Sequence, residues 1–181
     1  MKITSALLFL SLALPASILA QENTTPSSPD SACGSPDVQF DAHASAGQPP
    51  SQPEPGKALV YVIEDFKKAP GELGNPTLRI GVDGQWQGAV RPNTYIFFSL
   101  DPGEHHLCTS WQSSWEHLSK LASFSHLRAD AGKTYYFRAR ITYAGGGANA
   151  ASMDLDLQPV DADEGRYLVA SDRASDSHPT K

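Results

Sequence analysis

Asp83-Gly84, Asp101-Pro102-Gly103 and Ala131-Gly132-Lys133 cut the most apolar part of this chain into runs of only a few residues. Each is a turn with a mechanism. Asp-Gly supplies two residues that tolerate positive φ, as a two-residue hairpin requires. In Asp-Pro-Gly the proline ring presets the second turn position of a type II turn, and glycine accepts the positive φ of the third. Runs this short suit strands better than helices. Residues 57–64 (KALVYVIE) are apolar on both faces, as a buried strand should be. Residues 78–82 and 85–90 flank Asp83-Gly84 as a hairpin, and residues 95–100 (YIFFSL) lead through the Pro-Gly turn into 104–111 as their partner. Residues 121–128 and 134–143 read as further strands, with a helical alternative open for 114–121. The 14 glycines, 14 prolines and only 19% charged residues agree with many turns and argue against a coiled coil or long bundle. The prediction is an all-β fold: a β-sandwich of about seven or eight mainly antiparallel strands with a short C-terminal helix.

Parity constrains the last hairpin. Phe137, Ala139 and Ile141 alternate with Arg138 and Arg140; Met153, Leu155 and Leu157 alternate with Asp154 and Asp156. With residues 144–150 as the loop, Arg140 falls opposite Asp154 and Arg138 opposite Asp156, while Ile141 meets Met153 and Phe137 meets Leu157. A one-residue slip breaks both sets of pairs. Asp161 followed by Glu164 reads as a capped helix start, with Tyr167, Leu168 and Val169 available to dock on the sheet. Residues 171–181 read as a polar, disordered tail.

Before this domain lie two segments of different character. Lys2, the apolar run 6–14 and Ile18-Leu19-Ala20 have the order of a secretory signal peptide cleaved after Ala20, since nine apolar residues are about half of a membrane span. Export to the periplasm or beyond follows as an expectation, with no transmembrane segment and no lipidated cysteine at the cleavage point. Residues 21–56 hold seven prolines and one aromatic, Phe40, so they read as an extended arm. Only the stretch around Val38 and Phe40 alternates like a short edge strand pinned to something else. The expected layout is therefore signal peptide 1–20, arm 21–56, sandwich 57–170 and tail 171–181.

Two cysteines in an exported chain most often pair, so Cys33 and Cys108 are the expected disulfide, stabilising by about 4 kcal/mol in the chain-entropy model. The bridge explains how the arm lays Val38 and Phe40 on the sandwich. In Glu104-His105-His106-Leu107-Cys108, the residues Glu104, His106 and Cys108 share one strand face and are metal-ligand types. Three ligands on one strand, one of them claimed by a disulfide, fall short of a zinc site, so no metal or cofactor is assigned. No nucleophile elbow, His-Glu-x-x-His or phosphate-cradling loop occurs, and no catalytic residue is assigned. The net charge of −6 excludes a nucleic-acid footprint. Trp86, Trp111 and Trp115 form the candidate binding surface, because aromatic faces stack on sugars and anchor protein partners. The alternative is that Trp86 and Trp111 are core or strand-face residues, since tryptophan is highly buried on average.

Four segments together carry a resemblance: GKALVYVI at 56–63, VDGQWQGAV at 82–90, YIFFSLDPGEHHLC at 95–108 and AGKTYYFRAR at 131–140, with VDADEG at 160–165 closing the set. They resemble the bacterial domain-of-unknown-function 2846 family, over about residues 57–169. The middle part is also similar to PEGA-type sandwich modules, with their Val-Asp-Gly and Leu-x-Pro-Gly-x-His pattern. The resemblance implies an exported bacterial β-sandwich and carries no functional residues with it. The function expected is a non-catalytic exported module that binds an envelope protein or glycan. The competing class is a metal-dependent or hydrolytic enzyme using the segment from Glu104 to Cys108.

Overall fold

The computed structural model describes residues 32–65, 75–144 and 152–180, within which ten strands and two helices form. They are β1 (Gln39–Ser45), β2 (Ala58–Glu64), β3 (Thr77–Val82), β4 (Gln85–Val90), β5 (Thr94–Leu100), β6 (Gly103–Gln112), α1 (Glu116–Ser119), β7 (Ala122–Ala129), β8 (Thr134–Ala144), β9 (Ser152–Val160), α2 (Ala162–Ser171) and β10 (Arg173–Thr180). The expected signal peptide, residues 1–20, and most of the expected hairpin loop, residues 145–150, lie outside the described residues.

Two sheets face each other in the orders β1-β10-β5-β2-β8-β9 and β4-β3-β6-β7. The pairs β2–β8 and β10–β5 are parallel and the rest antiparallel. Between the sheets, Val60 and Val62 of β2 and Phe137 and Ile141 of β8 pack with Leu78 and Ile80 of β3 and Leu107 and Trp111 of β6. The opposite face of β2, carrying Leu59, Tyr61 and Ile63, lies beneath α2 with Tyr95, Leu168 and Ala174. A strand covered on both sides must be apolar on both sides, which explains the sequence of residues 57–64.

Local chemistry set several elements as expected. Asp83 (φ 49°) and Gly84 (φ 83°) turn β3 into β4 with both central residues left-handed. The Asp161 carboxylate accepts from Asp163 N and Glu164 N at 2.8 and 2.9 Å and starts α2. Gly165 faces the Tyr136 ring so closely that any Cβ would collide with it, which lets α2 settle on β8. Leu168 is buried there, but Tyr167 is 70% exposed and does not dock.

Five expectations need correction. β5 and β6 are not partners: β5 pairs with β2 and β10, and β6 with β3 and β7. The Asp101-Pro102-Gly103 turn carries the chain from one sheet to the other, with Gly103 at φ 144°, far from the φ of about +80° that the third position of a type II turn needs. The β8–β9 hairpin has the expected faces but a register displaced by two residues, with Arg140 opposite Asp156 and Arg138 opposite Gln158. Side-chain parity forbids a one-residue slip and is blind to a two-residue one. The strand count is higher than seven or eight. Residues 173–180 are not a disordered tail but β10, paired along its length with β1. Apolar patterning missed β10 because polar contacts hold it: Ser175 Oγ donates to Ala89 O at 2.7 Å, and Ala89 N donates to Ser177 Oγ at 3.1 Å. Those serines bond both backbone groups of Ala89 on the edge strand β4.

The arm is fastened to the outer face of the four-stranded sheet. Cys33 and Cys108 form a disulfide with Cα atoms 5.3 Å apart. Arg79, 5% exposed, donates to Pro36 O (2.9 Å), Val38 O (2.8 Å) and Ser110 Oγ (3.0 Å). Gln112 Oε1 accepts from Phe40 N (2.7 Å) and its Nε2 donates to Phe40 O (2.8 Å). Phe40 and Ala42 then pack on Ala89. Removing the Arg79 guanidinium strands buried carbonyls, so Arg79→Ala is expected to destabilise by about 3 kcal/mol. Arg140→Ala, at a site 41% exposed, is expected to cost about 0–1 kcal/mol. Urea denaturation of the two variants checks the ranking, and equal losses would contradict the role given to Arg79.

Candidate functional site

The three tryptophans do not form one surface. Trp86 lies on the outer face of the four-stranded sheet beneath the arm: its Nε1 donates to Ser35 O at 2.8 Å, and the Arg79 guanidinium sits 4.7 Å from its ring centre. Gly34 and Gly81 border that ring, where a side chain would clash or crowd it. Trp86 is therefore part of the fastening of the arm. Trp111 is 4% exposed and faces the opposite way, into the core between the sheets. Neither belongs to a common exposed face with Trp115, because Trp111 looks into the core and Trp86 lies under the arm.

Trp115 is different. It precedes α1, is 51% exposed and stacks on His117 with ring centres 5.8 Å apart. The backbone here is fixed by Leu118 N and Ser119 N, both donating to Trp115 O at 3.0 Å, and by burial of Leu118 in the core. Trp115, the rim of Trp111 and Leu118 line a cleft of about 280 Å³, together with Asn75, Thr77, Gln112, Ser113 and Ser114. Two of the three predicted residues thus meet, one as a wall and one as an exposed ring.

The segment from Glu104 to Cys108 divides among separate tasks. Cys108 is in the disulfide. His105 Nδ1 is 2.6 Å from Asp83 Oδ2 and its Nε2 2.8 Å from Asp101 O, while His106 N donates to Asp83 Oδ1 at 2.8 Å. This locks the β3–β4 turn to the sheet-crossing turn. Glu104 pairs across the strand with His126 (2.6 Å) and Arg128 (3.3 Å). Among the described residues no three His, Cys, Asp or Glu side chains are arranged to hold a metal ion.

A family model for proteins of unknown function (DUF2846) matches residues 54–153. The chain belongs to the DUF2846 family. No curated protein matches it. In this DUF2846 chain the matched stretch contains Trp86, Trp111 and Trp115, whereas Cys33, β1, α2 and β10 lie outside it.

Sequence reasoning also missed a charged cleft of about 380 Å³ between α2 and the ends of β2 and β8. Arg138 and Arg140 point there, and their partners are Glu164 and Asp65, not Asp154 and Asp156. Arg140 lies 3.1 Å from Asp65, and the Nε of Arg138 3.7 Å. Asp172 lines the same cleft. Burial, with repulsion from Asp65 added, pushes its pKa up to about 6. Asp65 lies just past the end of β2 and Glu164 reads as a cap residue, so no sequence pattern pointed from either to the arginines.

His105 gives a pH test of the turn lock. Burial opposes its charge, but the bonds to Asp83 and the Asp101 carbonyl outweigh burial and raise its pKa above the ordinary value. A raised folded value means that the stabilisation is complete below the unfolded pKa of about 6.5 and is lost as pH rises through the folded value. Asp83→Asn keeps a residue that tolerates positive φ and removes the charge. An NMR titration is expected to show the His105 inflection falling in Asp83→Asn. An unmoved inflection would mean that Asp83 does not hold the imidazolium.

Proposed function

We propose that this chain is an exported, non-catalytic binding module whose ligand site is the cleft beside Trp115. The observation that carries this reading is a large aromatic ring half open to solvent on a fixed backbone, next to a concave surface with amide and hydroxyl groups. An exposed indole face suits the apolar face of a sugar ring, and Asn75, Ser113 and Ser114 suit its hydroxyls. We therefore favour a glycan over an envelope protein as the partner. Export is supported by the leader-like residues 1–20 and by the Cys33–Cys108 bridge, a bond typical of oxidising compartments. The hydrolytic or metal-dependent alternative has little to build on, since Cys108, His105 and Glu104 are engaged in a disulfide, a turn lock and ion pairs.

Titration of the mature protein with soluble N-acetylglucosamine oligomers, followed by calorimetry, tests the reading. Binding is expected in the wild type and is expected to be lost in Trp115→Ala at stability within about 0.5 kcal/mol, as for an exposed position. Trp86→Ala should keep binding while loosening the arm. Unchanged affinity in Trp115→Ala would remove the cleft from consideration, and absence of binding in the wild type would turn the search toward a protein partner.

A further inference from the structure

On the far side of Asn75 lies a second cleft, of about 380 Å³, whose lining includes Arg91, Asn93, Thr94, Arg173 and His43 and, among the described residues, no acidic one. In a protein of net charge −6 this is an unusual place. Arg91 belongs to a turn held from both ends: Thr94 Oγ1 donates to Arg91 O at 2.8 Å and accepts from Arg91 N at 2.9 Å. Asn93 occupies the left-handed position of that turn, at φ 59°. Arg173 is placed by its backbone, whose N–H donates to Asn93 O at 3.3 Å. The only side-chain bond of the Arg91 guanidinium among the described residues is a long one, 3.4 Å to Ala42 O. Neither arginine has an ion pair with a carboxylate among the described residues. His43, at the cleft edge, is 3.5 Å from Asp41.

Glu64 sits behind the turn, fully buried, opposite Thr94, with both carboxyl oxygens unpartnered. Burial holds its carboxyl well above the ordinary range despite the nearby Arg91 charge. Neither of its oxygens accepts a bond from Arg91, whose guanidinium keeps donors for something in the cleft.

We propose that this cleft binds a phosphate group through Arg91 and Arg173. Two arginines from separate chain segments, with Asn75 and Asn93 in the same lining, offer more donors than the two oxygens of a carboxylate use. The phosphate has two sources. It is either free inorganic phosphate or a phosphate carried on a saccharide, since Asn75 also lines the Trp115 cleft and joins the two.

The experiment is calorimetric titration of the mature full chain at low ionic strength, where charge interactions are least screened. Inorganic phosphate and glucose 6-phosphate are titrated separately. Phosphate is expected to bind the wild type and to weaken at least tenfold in Arg91→Gln and in Arg173→Gln. Arg173 is exposed, so that variant tests the site even if Arg91→Gln is unstable. Arg166→Gln, on the exposed face of α2, should bind like the wild type. Tighter binding of glucose 6-phosphate, with the gain lost in Trp115→Ala, supports the proposal and assigns the phosphate to a saccharide. Equal affinity for the two supports it with free phosphate as the ligand. Absence of phosphate binding, full binding in Arg173→Gln, or a loss of the same size in Arg166→Gln overturns it. None of these three results bears on Trp115, whose reading stands or falls with the neutral oligomers.

Discussion

The guanidinium of Arg79 is buried between the four-stranded sheet and the arm, with two backbone carbonyls, one hydroxyl and an indole face around it. Burial lowers its pKa, but a guanidinium remains charged in proteins. A buried charge without partners costs several kcal/mol, so Arg79 and the arm need each other. Without the arm the outer face of β3 and β6 would expose Arg79, Cys108 and Ser110 around an unfilled surface. With it, residues 33–42 become a third layer, fixed by a covalent bond at one end and by Phe40 at the other.

That layer explains the strand arrangement. Once the arm has crossed the four-stranded sheet, β1 continues as the edge of the opposite sheet and gives β10 an antiparallel partner. β10 in turn meets β5 through only two residue pairs and supplies serines to the β4 edge. On the opposite side, Leu157 N donates to Ser123 Oγ at 3.1 Å between β9 and β7. Both flanks of the sandwich are thus tied by serine side chains bonded to edge-strand backbone.

Much of this was legible where local chemistry decides: the Asp83-Gly84 turn, the Asp161 cap, the doubly apolar β2, the parity of β8 and β9, and the pairing of Cys33 with Cys108. What escaped depends on relations between distant segments. Nothing around Pro102 distinguishes a turn that pairs two strands from one that stacks them, because that depends on where each strand finds its neighbour. Residues 173–180 carry too little apolar surface to announce a strand. Arg79 looks like an exposed residue alternating with Leu78 and Ile80; its task is visible only when the arm lies over it. At the candidate site, counting tryptophans put three residues together, and only the fold separates the clamp residue Trp86 and the wall residue Trp111 from the exposed ring of Trp115.

The arm and β10 are integral parts of the folded domain, and backbone hydrogen exchange followed by mass spectrometry tests this most directly. In the oxidised protein, peptides covering residues 39–45 and 173–180 should be protected together. Reduction of Cys33–Cys108 should deprotect both while residues 58–64 stay protected. Free exchange of residues 39–45 in the oxidised protein, with the core still closed, would contradict the account.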